Sequence, residues 1–459
     1  MSIRVRNPYN GVEVGHVPRG KEADVASAVD KAHSGAEAMR RMPLHRRSEI
    51  LAKAAAMLSV DRQSLAELIV AEAGKTIREA RAEVDRTALI FQLAAEEARR
   101  LHGETVPFDG VANGEGRTGY WLREPVGIVG AITPWNVPLA LSAHKIAPAL
   151  AAGNAVVHKP AEQTPLSALR LADILHGAGV PEAALQVVTG LGEEAGDALV
   201  RHPDVAFVSF TGSRAVGMQL PARAGFKRVA LELGGNSPVI VTPSADLCEA
   251  AAAIVRGGFA VAGQLCISVQ RILVHESVKN ALANLLVPAI AALRLGDPME
   301  ETTDVGPLIN PEACERVADA VQKAIAAGAS VLTGGEREGR AGFQPTLFEE
   351  MPPASPLAME EAFAPLVMLI SYRTLAEAIQ IANATPYGLN AGIYTNDLRE
   401  ALEAAREIMA GSVMINDVPT FRTDNMPYGG RKQSGLGREG VRFALEEMTD
   451  LKLVCFHGG

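Results

Sequence analysis

Beginning at Val126, short apolar runs alternate with helical stretches: VGIVGAI, NAVVHK, LQVVTG, VAFVSF and RVALEL, separated by segments such as residues 167–175. Runs this short, each followed by a helix, read as strands of a parallel βαβ array, because parallel neighbours need a crossover between them. That arrangement also dictates where a ligand goes. Open parallel sheets bind beyond the carboxyl ends of their strands. Here those ends read ITPWN, HKPAE, FTGS and LELGG, polar and rich in glycine and proline, where a cofactor would lie. A second α/β region, from about Leu233 to Asn425, carries the strand candidates RILVH, SVLTGG, APLVMLI, AGIYT and SVMIN and is expected to form its own sheet.

From Ser48 to Arg100 the apolar residues fall at helical spacing, for example Ile50, Leu51, Ala54 and Leu58, then Leu65, Leu68 and Ile69. Consecutive amphipathic helices covering one sheet face are expected, with Gly74 and Lys75 marking a helix end. TGYWLR (118–123) and LKLVCF (451–456) alternate β-prone residues outside both patterns and are expected to pair as a small extension. At 459 residues the chain exceeds one core of roughly 100–200, so two substantial domains and an appendage are expected.

A net charge of −9 argues against a basic face for nucleic acid or an anionic membrane. The N-terminus has charges where a secretory apolar region would stand, and no apolar run approaches the roughly 18 residues of a membrane span. A cytoplasmic protein with no nucleic-acid or membrane partner is expected. Cys248, Cys266, Cys314 and Cys455 are scattered and form no CxxC, so reduced thiols are the default. There is no HExxH and no His/Cys cluster at zinc spacing, so no metal site is expected.

Five segments carry possible chemistry. Cys266 in AVAGQLCIS is by default a small buried hydrophobe, and a nucleophilic role needs a lowered pKa. Glu232 in LELGGNSP ends an apolar strand between Leu231 and Leu233, which favours a working general base over an ordinary surface acid. Asn136 in ITPWNVP lies between two prolines; such rigidity suits an oxyanion donor, worth on the order of 3 kcal/mol of barrier, against the alternative of a turn-forming Asn. FTGSRAVG places Gly212 and Ser213 between a strand and a helix, as an anion site for a pyrophosphate, although it is not GxGxxG. Lys159 and Glu162 read either as ligands of ribose hydroxyls or as a solvated ion pair.

Taken together, PWN, HKPAEQTP, FTGS, LELGGNSP, GQLC, EEAFAP and PYGGRKQSGLGREG, in this order over most of the chain, resemble the aldehyde dehydrogenase superfamily. The resemblance implies an α/β fold: a Rossmann-like cofactor domain (1–109 and 130–232), an α/β catalytic domain (233–425) and a bridging β-extension (110–129 with 426–459) used in homodimers and homotetramers. It implies Cys266 as nucleophile, Glu232 as general base, and the Asn136 amide with the Cys266 N–H as oxyanion hole. Cofactor contacts then fall on Thr133, Pro134, Trp135, Lys159, Glu162, Gly192, Gly212, Ser213, Leu233, Glu361 and Phe363. Lys159, which also joins the catalytic set, and Glu162 are placed at the adenosine ribose, and Glu361 at the nicotinamide ribose. A carboxylate at Glu162 would repel the extra phosphate of NADP, so NAD is favoured, with NADP also admitted.

The mechanism implied begins with attack of the Cys266 thiolate on an aldehyde, continues with hydride loss to nicotinamide, and ends with hydrolysis of the thioester by water deprotonated by Glu232. The substrate pocket is expected to draw on Val137, Leu141, His144, Leu265, Ile267, Phe421 and Arg422. His144 and Arg422 point to a small polar or anionic aldehyde; equally, His144 reads as a packed core histidine and Arg422 as a solvated loop cation. Two departures stand out. The loop usually written EEIFGP is EEAFAP, with Ala362 and Ala364. The chain is most similar to the lactaldehyde and phosphonoacetaldehyde branch, yet it has Leu265 and Val137 where phosphonate-binding members usually carry Arg and His. The competing readings are a CoA-acylating semialdehyde dehydrogenase, against which Glu232 speaks, and a non-redox cysteine esterase or silent relative.

Overall fold

The first array of apolar runs forms the sheet expected of it. In a computed structural model of the chain, which describes residues 2–352 and 355–458, the strands Ile128–Ile132, Ala155–Lys159, Leu185–Val187, Phe207–Thr211 and Arg228–Glu232 pair in parallel. Ile128–Ile132 lies in the middle, with the next two strands on one side and the last two on the other. The order in which successive strands are added therefore reverses beside Ile132 and Phe210, which opens a crevice at the carboxyl edge.

Side chains alternate across this sheet as a period of two requires. Val129, Ala131, Val156, Phe207 and Ala230 pack on one face against the helices Leu44–Val60, Arg62–Ala73 and Ile77–Arg100. Ile128, Ile132, Val157, Val208, Phe210 and Leu231 pack on the other with Val25 and Val29 of the helix Glu22–Arg41. Gly74 caps the second of these helices in the left-handed conformation (φ 73°), the stop signal expected there.

The second region forms a sheet of seven strands, all parallel except for Ser330–Thr333 against Thr346–Glu349 at one edge. Two of its strands lie outside the sequence candidates. One is Thr346–Glu349; the other, Ser237–Val241, sits near the centre. Pro238 disguises the central strand, because proline cannot donate to a ladder, and the register shifts between Ser237 and Pro238 to absorb it.

TGYWLR and LKLVCF do pair: Thr449–His457 runs antiparallel to Arg117–Pro125, with Glu104–Thr105 on the far side. Within the C-terminal segment assigned to this extension, Gly435–Leu436 instead joins the edge of the first sheet, antiparallel to Arg228–Glu232. Among the described residues no helix is long and apolar enough to cross a membrane.

Candidate active site

The crevice at the reversal point is a groove of about 560 Å³ whose walls include Ile132, Glu162, Gly192, Phe210 and Val216. Lys159 ends its strand only 3% exposed and donates to Glu162 at 3.2 Å. The cation of the pair is thus enclosed, while a third of the Glu162 side chain stays exposed. Burial pulls the Lys159 pKa down, and Glu162 opposes the shift.

Gly192 opens a short turn, Gly192–Gly196, at the next strand end. The Gly212 N–H donates to the Glu232 carbonyl at 3.1 Å, and the helix after it, Arg214–Gly217, is a single turn. Ser213 does cap that turn, accepting from the Val216 N–H at 3.4 Å. Glycine is needed at 212 for space, since a Cβ would lie 2.5 Å from the Phe210 ring.

Cys266 follows a loop that no helix or strand would form unaided. After the helix Leu247–Phe259, Val261 and Ala262 both have positive φ (52° and 54°), as does Gly263. Left-handed Val and Ala are each strained by about 1–2 kcal/mol and persist only when over-determined by their surroundings. Glu79 supplies one restraint, accepting from the Val261 N–H at 2.7 Å. Gln264 supplies others, donating to the Val261 carbonyl at 3.1 Å and accepting from the Ile309 N–H at 3.0 Å. The glycines of LELGG explain the close approach on the other side: a Cβ on Gly235 would meet the Cys266 carbonyl at 2.1 Å, and one on Gly234 would meet the Glu361 carboxylate at 2.4 Å.

Asn136 reaches the same loop, donating from Nδ2 to the Gln264 carbonyl at 2.7 Å. An amide nitrogen has two hydrogens, so one donor remains. The turn is held from below. Glu83 accepts from the Leu139 and Ala140 N–H groups (2.8 and 3.1 Å), capping the helix Pro138–Ala152, and is itself paired with the buried Lys75 at 2.6 Å.

Glu232 is buried at the end of its strand, and Oε2 has no partner. Burial, then the charge of Glu439, pushes its pKa well above the carboxylate range, against the pull of Arg422, Lys145 and Arg438. Glu439 keeps the negative charge because Lys145 and Arg422 each bond one of its oxygens at 3.0 Å.

His144 is 1% exposed and sits in a buried charge cluster. Its Nε2 meets Asp424 at 2.8 Å, Arg422 at 3.1 Å and Arg86 at 3.2 Å, and burial depresses its pKa to about 4. Arg422 is not a solvated cation: its side chain is 7% exposed and lies 3.7 Å from the Tyr428 ring centroid. The Tyr428 hydroxyl in turn is 3.3 Å from Cys266 Sγ. Burial pushes the half-buried Cys266 thiol up to about 12, with the Tyr428 hydrogen bond opposing.

The EEAFAP loop keeps its anchors. Gly235 N–H donates to Glu361 at 3.0 Å, while burial raises the Glu361 pKa to about 7. Ala362 N–H donates to Gln270 at 3.0 Å, and Phe363, at φ 49°, stands edge-on to Trp135 with centroids 5.4 Å apart. Pro134 is partly exposed beside Trp135, whereas the Thr133 hydroxyl turns inward to His158 at 3.0 Å. Leu233 packs against Gly217. Of the pocket candidates, Val137, Leu141 and Leu265 share one apolar cluster, Ile267 joins Cys266 and Tyr428 in another, and Phe421 is 47% exposed in its loop.

Sequence reading missed Tyr428, Gln264, Glu83, Arg86, Asp424, Lys145 and Glu439. Gln264, Tyr428 and Glu439 did lie inside motifs, the first in GQLC and the other two in PYGGRKQSGLGREG. The rest gave no local signal, since Arg86 and Asp424 meet across 338 positions.

A doubly wound sheet with a crevice at its carboxyl edge defines the class as a dinucleotide-dependent enzyme. The aldehyde dehydrogenase family matches residues 1–454, and the chain belongs to that family of NAD(P)-dependent dehydrogenases. It is 46% identical over 455 residues to an aspartate-semialdehyde dehydrogenase of Pseudomonas canavaninivorans, covering 99% of this chain and 96% of the relative. It is 43% identical to a 3-sulfolactaldehyde dehydrogenase of Priestia aryabhattai, covering 99% and 95%. The solved glyceraldehyde-3-phosphate dehydrogenase of Methanocaldococcus jannaschii, complexed with NADP, superposes with a TM-score of 0.95 at 42% identity, covering 99% of each chain.

Proposed function

We propose that this chain oxidises a small anionic aldehyde to its carboxylic acid through a thioester on Cys266. The observation that supports this reading is that Asn136 bonds the loop that carries Cys266, Glu232 ends its strand with an unpartnered buried carboxyl oxygen, and the charge of Glu232 bears on the Cys266 thiol. The Cys266 sulfur, as a thiolate, forms a bond to the aldehyde carbon as the carbonyl π electrons move to oxygen, and C=O then re-forms as the hydrogen on that carbon leaves as hydride, which gives the thioester. The charge that develops on oxygen is met by the Asn136 amide and the Cys266 N–H. Glu232, once ionised, takes a proton from water as its oxygen bonds to the thioester carbon; the carbon–sulfur bond breaks, and thiolate and acid separate.

The crevice fits a nicotinamide dinucleotide. Lys159, Glu162 and Gly192 would hold its adenosine end and Glu361 its second ribose, and when bound it supplies the hydride acceptor. Because Lys159 already offsets the Glu162 charge, the repulsion of a 2′-phosphate is weakened, and both NAD and NADP fit. The exposed residues Tyr120, Leu451, Leu453 and Phe456 on the three-stranded sheet support subunit contacts in a homodimer or homotetramer.

The anionic preference rests on charge. Arg86, Arg422 and Lys145 face the carboxylates of Asp424 and Glu439, three cations against two anions, and burial favours the neutral forms of His144 and Glu232. Arg86 is the member of this group open to solvent, with 29% of its side chain exposed. The three relatives described above are named for aldehydes bearing a carboxylate, a sulfonate and a phosphate.

Two results follow. In a panel of succinic semialdehyde, glyceraldehyde 3-phosphate, lactaldehyde and benzaldehyde, kcat/KM for the anionic members exceeds that for benzaldehyde by on the order of 10²-fold, and Arg86→Gln raises their KM about tenfold while sparing lactaldehyde. Equal rates across the panel would remove the anionic reading. Asn136→Ala lowers kcat by about 10²–10³-fold with the melting temperature little changed, the loss expected of one oxyanion donor; a loss confined to KM would contradict that role.

A further inference from the structure

Tyr428 is fully buried, among the largest such side chains in the protein, and its phenol oxygen is not used by the mechanism described above. Among the described residues its hydrogen-bond partner is the Cys266 sulfur, at 3.3 Å. Ile267, Leu389 and Met426 pack in the same apolar cluster as the pair. The guanidinium of Arg422 lies 3.7 Å from the centroid of the same ring. Arg422 cannot swing away easily, because it is bonded to Glu439 and His144.

We propose that Tyr428 is a positioning residue for the nucleophile: its hydroxyl donates to the Cys266 sulfur, backed by the Arg422 cation on the ring, and so holds and stabilises the thiolate. The proposal rests on Cys266 being the nucleophile.

The geometry makes the direction of the bond depend on the proton. As a thiol, Cys266 can donate to the phenol oxygen. As a thiolate it has no hydrogen left, so the phenol must donate, and a bond to an anion is stronger than one to a neutral acceptor. The contact therefore favours the charged form. A cation on the ring face draws electron density from the phenol and strengthens it as a donor. This support is needed because the charged groups around the sulfur divide unfavourably: Glu361 and Glu232 disfavour a thiolate, and among the described residues Arg422 is the one cation that favours it.

The test is the rate at which iodoacetamide alkylates Cys266 in the free enzyme between about pH 7 and pH 10, followed by peptide mass spectrometry, with the exposed Cys248 and Cys455 as internal standards. Tyr428→Phe removes one oxygen and keeps the ring. In this variant Cys266 is alkylated about tenfold more slowly at every pH below its midpoint, the consequence of a midpoint raised by about one unit. Labelling of Cys248 and Cys455 and the melting temperature stay as in the native protein. Arg422→Lys, which keeps a cation against Glu439 but cannot lie flat on the ring, slows alkylation in the same direction by a smaller factor.

An unchanged or faster Cys266 rate in Tyr428→Phe overturns the proposal. So does slower labelling of all three cysteines together, which would mark a general structural change. Failure of the underlying reading looks different: Cys266→Ala would then oxidise aldehyde at the native rate, whatever the alkylation profile of Tyr428→Phe.

Discussion

Cys266→Ala is expected to lose aldehyde oxidation almost entirely, with kcat/KM down by at least about 10⁴-fold, because no neighbouring group can form the covalent intermediate in its place. The fold should survive. The sulfur is half-buried, the substitution keeps Cβ, and the loop is fixed through Glu79, Gln264 and the close approach of Gly235 rather than through the thiol. A native circular dichroism spectrum and an intact affinity for the dinucleotide would show that the loss is chemical. Oxidation by a Cys266→Ser variant at the native rate would refute the assignment, since an alkoxide is a far harder species to form and release than a thiolate.

Glu232→Gln should separate the two halves of the reaction. Acylation does not require a base at this position, so one equivalent of NAD(P)H per subunit should still form rapidly. The steady-state rate then falls by about 10²–10⁴-fold, because water is no longer deprotonated. The pH dependence carries the same signature. Burial and Glu439 raise the Glu232 pKa, so its charged form must be gained as pH increases. In the native enzyme the deacylation rate rises through that raised value; in Glu232→Gln it does not.

Stability moves oppositely. A carboxyl whose folded pKa is raised favours the fold fully below its unfolded value of about 4.3 and loses that contribution as pH rises through the folded value. Glutamine mimics the neutral form, so the variant should gain melting temperature relative to the native protein as pH increases. A burst absent from Glu232→Gln, or a deacylation rate that climbs with pH as in the native enzyme, would exclude the general-base role.

The parts of this architecture that a sequence displays are those written in local periodicity. The parallel strands of the first sheet, the helices over residues 48–100 and the pairing of TGYWLR with LKLVCF follow from alternation and spacing, and each is present. The central strand Ser237–Val241 was hidden because Pro238 contradicts the local rule, and only the register shift beside it reconciles the two. At the site, the residues at strand ends and between prolines were legible because strand termini gather at one edge.

What resisted reading was the support. Glu79 and Glu83 look like the polar face of an amphipathic helix, yet one holds the Val261 loop and the other caps the helix after Asn136. Likewise Arg422 and His144 could not be settled by residue type, because their burial is created by Asp424, Glu439 and Arg86 arriving from distant segments. Long-range charge pairing has no period, and so it leaves no trace in a single sequence.

The most direct test of the thioester is to mix Glu232→Gln with NAD and succinic semialdehyde, quench in acid after the burst, and map the modified peptide by mass spectrometry. The chemistry described here requires one succinyl group per subunit, attached to Cys266 and removed by hydroxylamine. An unmodified Cys266 after a full burst of NADH, or an acyl group found on any other residue, would contradict it.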